Sequence, residues 1–187
     1  MKDLFNEELR DGESLLWCGK PEAFEIMDRT YKQHLIRRAI VIIGVVTAIC
    51  VIYLLYASSK GITIKPVLVA LAMAGAIMGA ANGFLEGKKL RRMCYAITDQ
   101  RIISVLELPK SLEFNRVKEV AFKTDKDGHT SILFGTKTIK SKAHSWRNLA
   151  LADPYIDEGT GFCTRFVMYA VPEAEKIKEI LGQYISI

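Results

Sequence analysis

The sequence predicts an α+β membrane protein: a hairpin of two transmembrane helices carrying a β-sandwich or partly open barrel, which a C-terminal helix closes. Three observations carry this expectation. Residues 39–57 and 66–85 contain no charged side chain. Beyond Arg92 the helical pattern gives way to short β-branched and aromatic runs. Near the end, Ala174, Ile177, Ile180, Leu181 and Tyr184 recur at helical spacing after Pro172.

The two apolar stretches come first. A helix rises about 1.5 Å per residue, so roughly 20 residues cover the ~30 Å hydrocarbon core of a bilayer. Both stretches reach that length and are apolar on every face, where a soluble helix keeps a polar stripe. The residues left over are too few and too polar to wrap both as core helices. Arg29, Lys32, Arg37 and Arg38 precede the first span, and Lys88, Lys89, Arg91 and Arg92 follow the second. The link 58–65 has only Lys60 and Lys65. This excess places both termini in the cytoplasm of a multi-pass protein of the cell membrane, with the link outside. Residues 1–38 then form a cytoplasmic N-terminal segment, 39–85 the hairpin, and 86–187 a cytoplasmic domain.

Gly75 and Gly79 make a G-x-x-x-G pair that Gly83 continues, with Ala72 and Ala76 beside it. Small residues four apart let a second helix approach closely. Gly44 and Ala48 offer a matching patch, for packing within the hairpin or between two chains.

The charge is unevenly placed. Residues 1–38 hold seven basic and eight acidic groups, whereas 86–187 hold seventeen and thirteen. A mildly basic domain beside a membrane suits an anionic leaflet, and no basic run interleaved with aromatics points to nucleic acid. Cys18, Cys50, Cys94 and Cys163 are widely spaced, which excludes a disulfide framework or a zinc motif and fits a reducing compartment. The polar residues before the first span resemble no cleavable signal, so that span is expected to act as its own targeting signal.

Along the chain, residues 2–13 are expected to form a short amphipathic helix or mobile arm. Ser14–Cys18 reads as a strand broken by Gly19-Lys20-Pro21, and 22–38 as a helix continuous with the first span. Met93–Thr98 and Arg101–Glu107 read as a hairpin across Asp99-Gln100, with Asp99 bonding its own backbone in the turn. Val117–Lys123 and Thr130–Phe134 read as a second hairpin, across Asp125–Gly128. Gly135–Lys142 is expected as a further strand, Arg165–Ala170 as a late one, and Pro172 opens the last helix.

Several of these segments together resemble the bacterial pleckstrin-homology-like domain family, in its membrane-anchored form with two transmembrane helices. They are Gly12-Glu13 with Leu16-Trp17-Cys18-Gly19-Lys20-Pro21, then Tyr95-Ala96-Ile97-Thr98-Asp99-Gln100-Arg101-Ile102-Ile103, and the late Phe166–Pro172 before a helix. The resemblance implies a seven-stranded bent sheet capped by the C-terminal helix. It also implies that Ser14–Cys18 pairs into that sheet, with the helical hairpin inserted after it. Residues 141–162 depart from the pattern, being longer than a loop of that family.

Little points to catalysis, and no cofactor or metal is expected. His34, His129 and His144 lack metal spacing. Asp125-x-Asp127-Gly128 starts like a calcium loop without its later ligands, and Gly83–Lys88 fails as a phosphate loop. Asp153, Asp157 and Glu158 read as a solvated loop. Tyr95, Thr98, Asp99 and Arg101 are expected to be structural, Asp99 holding the turn and Arg101 pairing across the sheet. The binding candidates are Lys88, Lys89, Arg91 and Arg92 at headgroup level, and a second cluster of Lys137, Lys140, Lys142 and Arg147. On a strand, Lys140 and Lys142 would share a face. The expected function is a non-enzymatic membrane-anchored module for interaction with a protein partner, or with itself. The alternatives are a sensor of anionic lipid headgroups and an accessory subunit of a membrane enzyme or transporter. A proton or ion path through this chain alone is disfavoured, because neither span holds a charge.

Overall fold

A computed structural model describes residue 5, residues 7–63 and residues 65–185, with Phe84 described by its backbone alone. The expectation for 2–13 falls partly outside these residues. Two long helices dominate, α1 (Arg29–Ser59) and α2 (Pro66–Leu90), and both are long and apolar enough to cross a membrane. Asp28 caps α1, whereas 22–28 is not helical, so the expected continuous helix from residue 22 starts about two turns late. Pro66 opens α2, and Lys88 and Lys89 lie in its last turn, where the carbonyl end of a helix favours cations. Side chains such as Ile40, Ile52, Leu55, Leu71 and Met78 stand at least 64% exposed along the pair.

The two helices approach closely where α1 begins and α2 ends. A Cβ on Gly83 would lie 2.1 Å from Leu35 Cδ2, and one on Gly87 3.3 Å from Ile26 of the segment leading into α1. A Cβ on Gly79 would lie 3.9 Å from Ile42, while Gly75 and Gly44 have open space around them. The small-residue row therefore serves the hairpin itself at Gly83 and, loosely, at Gly79.

The rest of the chain is two four-stranded antiparallel sheets that do not close on each other. The first has the order β1 (Leu15–Gly19), β2 (Cys94–Thr98), β3 (Arg101–Val105), β4 (Pro109–Glu113). The second runs β5 (Val120–Thr124), β6 (Thr130–Phe134), β8 (Cys163–Met168), β7 (Tyr155–Ile156). The long helices thus leave from between β1 and β2, which pair directly: Trp17 faces Ile97 and Gly19 faces Tyr95. Among the described residues, eight strands in two sheets stand in place of the seven expected in one bent sheet. β4 was not legible because only Leu112 is buried on it and Pro109 begins it, as suits an edge.

The inner faces of both sheets share one core, from Trp17, Tyr95, Ile97 and Ile102 to Ile132, Phe134, Phe166 and Met168. Helix α4 (Trp146–Leu151) and the last helix, α5 (Ala174–Leu181), close it with Trp146, Ala150, Ile177 and Leu181. Tyr95 places its hydroxyl in this core, where it accepts from the Tyr169 amide at 3.0 Å. On the outer face of the first sheet, Phe5 covers Cys94, Ala96 and Ile103.

The expected strand over 135–142 is a correction. Gly135 takes φ +85°, and a Cβ there would meet the Cys163 carbonyl at 2.4 Å, so the chain leaves the sheet as β8 passes. The Thr138 and Ile139 amides both turn back to the Gly135 carbonyl, and the short helix α3 (Thr136–Ile139) results. Lys140 and Lys142 consequently share no strand face.

The Thr98–Arg101 turn is closed by Thr98 rather than Asp99. Thr98 Oγ1 accepts from the Gln100 and Arg101 amides at 3.2 and 2.9 Å. Asp99 instead accepts from the Ser14 amide at 3.0 Å, which fixes the entry to β1. Arg101 pairs with Glu13 through Nε and Nη2, both at 2.9 Å, and donates to the Glu8 carbonyl. Glu13 is buried. Burial pushes its carboxyl up, but donors from Arg101, the Arg10 amide and Thr98 together hold it down at about 2.

Two outcomes follow. Gly83→Leu should destabilise the hairpin by about 1–3 kcal/mol through overpacking, whereas Gly75→Leu should be nearly neutral; thermal unfolding of the intact chain in detergent separates them. Glu13 is ordinarily near 4.5 and lies lower when folded. Its contribution of about 3 kcal/mol should be complete above pH 4.5 and lost as pH falls toward 2. The stability gap between wild type and Glu13→Gln should narrow across that window.

Candidate anion-binding cleft

The site grows from the amide end of α1. A helix leaves its first amides without partners, and here carboxylates take them. Asp28 Oδ1 accepts from Tyr31 N at 2.9 Å. Asp127, in the turn between β5 and β6, accepts from Arg29 N at 3.0 Å, Thr30 N at 2.9 Å and the Thr30 hydroxyl. Asp28 Oδ2 pairs with Arg147 of α4, whose guanidinium also donates to the Glu25 and Ile26 carbonyls and to the Tyr169 hydroxyl. Phe24 and Tyr31 each lie 4.6 Å from that guanidinium. Burial pushes the Asp28 carboxyl up, Arg147 and the Tyr31 amide pull it down, and Asp127 and Asp125 add to the rise. Asp125 and His129 stand beside Asp28, with ligand atoms within 4.8 Å of one another.

On another side of α1, Thr30, Gln33, His34 and Arg37 recur at intervals of three and four, and so share one face. Opposite them stand Lys126, from the β5–β6 turn, and Lys142, Ala143 and His144 from the chain before α4. Together they line a cleft of about 390 Å³. His34 and His144 stack across it with centroids 4.3 Å apart, their planes 20° from parallel. Burial, then His34 and Lys142, push the His144 imidazole toward its neutral form. His34 Nδ1 is enclosed and has no hydrogen-bond partner. Arg37, Lys126 and Lys142 are exposed, and among the described residues no carboxylate lines the cleft. Among the described residues, none of these three cations makes an ion pair. Such a set attracts an anion with several oxygens and offers no nucleophile and base in contact.

The four cations of the second expected cluster separate. Lys142 lines the cleft, and Lys137 lies 4.9 Å above the Tyr155 ring. Lys140 caps the end of α3. Arg147 is a correction: its side chain is 1% exposed and committed to Asp28, so it is not on a binding surface. At the other flank, Lys88, Lys89 and Arg92 are exposed, while Arg91 is drawn to the Phe24 carbonyl and over the Phe24 ring. Tyr95, Thr98, Asp99 and Arg101 hold the first sheet, as described above. Lys126, His34 and His144 went unrecognised in the sequence. The i, i+3, i+4, i+7 face of α1 was its one available signal, and its partners come from 89 residues or more further along.

No protein-family model, curated protein or solved structure matches the chain.

Truncating Arg147 leaves the Asp28 carboxylate buried and unpaired, so Arg147→Ala should cost about 3–5 kcal/mol. Arg147→Lys should recover only part of this, because an ammonium cannot repeat the planar fork and its stacking. Thermal unfolding of the intact chain measures both.

Proposed function

We propose that this chain is an integral membrane protein of the bacterial pleckstrin-homology-like class, whose cytoplasmic domain binds anionic lipid headgroups and catalyses no reaction. The cleft of Arg37, Lys126 and Lys142 carries the reading, because three unpaired cations converge there without a lining acid. Its height supports the source of the anion. Residues 39–57 of α1 are the uncharged part, so Arg37 stands just outside the hydrocarbon and Thr30 about two turns beyond it. A headgroup layer on the order of 6 Å thick reaches the Arg37 end of the cleft. The exposed apolar sides of α1 and α2 call for lipid cover, and the Lys and Arg flanks favour both termini in the cytoplasm. Lys88, Lys89 and Arg92 add an unselective attraction of about 1 kcal/mol each to an anionic leaflet. The cleft adds shape and so turns attraction into recognition of a headgroup.

Native mass spectrometry of the detergent-solubilised chain tests this with phosphatidylglycerol against phosphatidylcholine. The wild type should retain the anionic lipid preferentially. Lys126→Ala with Lys142→Ala removes about 1 kcal/mol at each position, and should lower that affinity about 25-fold together. An unchanged preference for phosphatidylglycerol in the double variant would falsify the reading.

A further inference from the structure

Three carboxylates, Asp28, Asp125 and Asp127, gather at the amide end of α1, and one of them, Asp28, is paired with the Arg147 guanidinium. Most of their oxygens are accounted for. Asp127 is filled by the Arg29 and Thr30 amides and the Thr30 hydroxyl, and Asp28 by Tyr31 and Arg147. Asp125 Oδ1 accepts from the Asp127 and His129 amides at 2.9 and 3.0 Å. Its Oδ2 has no hydrogen-bond partner among the described residues, although the side chain is only 1% exposed.

The atom facing that oxygen also has no hydrogen-bond partner. His129 Nδ1 is enclosed and lies 3.7 Å from Asp125 Oδ2. That is too long for a hydrogen bond, yet it fits two ligands of one ion, each about 2.0–2.1 Å from it. Asp28 supplies a third ligand atom within 4.8 Å of the other two. The imidazole sits edge-on to Phe24, with ring centroids 6.5 Å apart, so its direction is set by packing. A neighbouring pocket of about 330 Å³, lined by Asp28, Asp127 and His129 and also by Arg29 and Lys32, provides a way in.

We propose that Asp28, Asp125 and His129 form a site for a divalent transition-metal ion, with zinc the best fit. One imidazole nitrogen and two carboxylate oxygens suit zinc, whereas calcium and magnesium prefer oxygen throughout. The ion joins the residue that caps α1 to the turn between β5 and β6. It therefore ties the apolar hairpin to the β-rich domain at the wall of the anion cleft, since Lys126 lies in the same turn. The site does not depend on what the cleft binds.

The test uses the intact chain in detergent, stripped of metal with a chelator and titrated with cobalt as a spectroscopic probe. The wild type should develop visible d–d bands at one equivalent, lose them to zinc, and melt at a higher temperature with zinc than without. Asp125→Asn and His129→Ala should each weaken cobalt binding about 100-fold or more, beyond the effect expected of an outer partner. His129→Cys guards against variants that fold poorly, because a thiolate ligand adds a near-ultraviolet charge-transfer band absent from the wild type. Absence of cobalt bands in the wild type overturns the proposal. So does cobalt binding that persists unchanged in both Asp125→Asn and His129→Ala, or a His129→Cys spectrum without the new band.

Discussion

The capping of one helix end is the interaction on which the rest of the molecule depends. The amides of Arg29, Thr30 and Tyr31 open a 31-residue helix, and each is met by a carboxylate oxygen. One of those carboxylates, Asp127, belongs to a β-turn nearly a hundred residues later. The other, Asp28, is held by Arg147 from α4. The amide end carries a partial positive charge and unfilled donors, so carboxylates there satisfy geometry and electrostatics together. A long apolar helix is thereby tied at its base to both the second sheet and the helical layer over it.

That tie also sorts the charge. In the turn 125–129 the acids Asp125 and Asp127 face the helix end, while Lys126 between them faces the cleft. On α1, Asp28 and Tyr31 enter the buried knot, and Thr30, Gln33, His34 and Arg37 line the opposite wall from Lys142 and His144. Acids and bases that alternate closely in sequence end in separate places. The cleft is basic because the nearby carboxylates are engaged elsewhere. Shape matters as much as charge: the His34–His144 stack holds the two walls at a set separation.

Much of the secondary structure was legible where period and length spoke clearly. The uncharged runs became α1 and α2, the Ile-Thr-Asp-x-Arg segment became the β2–β3 hairpin, and Val120–Phe134 became β5 and β6. Legibility failed where one contact outvoted local preference. Gly135 turned a β-branched stretch into a helical turn because the Cys163 backbone passes against it. Thr98 rather than Asp99 closed the hairpin turn, since Asp99 found the Ser14 amide. Arg147 read as one more surface cation, because its buried partner Asp28 lies 119 residues away.

The sequence by itself determined two helices long and apolar enough to cross a bilayer, their basic flanks, and an antiparallel β-rich remainder closed by an amphipathic helix. These follow from period, length and the absence of charge, which act within a few residues of one another. Only the tertiary structure decided which cations stand free and which are consumed. It alone brought Asp28 to Asp125 and His129, and His34 to His144. The physical reason is range: a side chain's charge, burial and partners are set by whatever lies within a few ångströms, and in a folded chain those neighbours come from anywhere in the sequence.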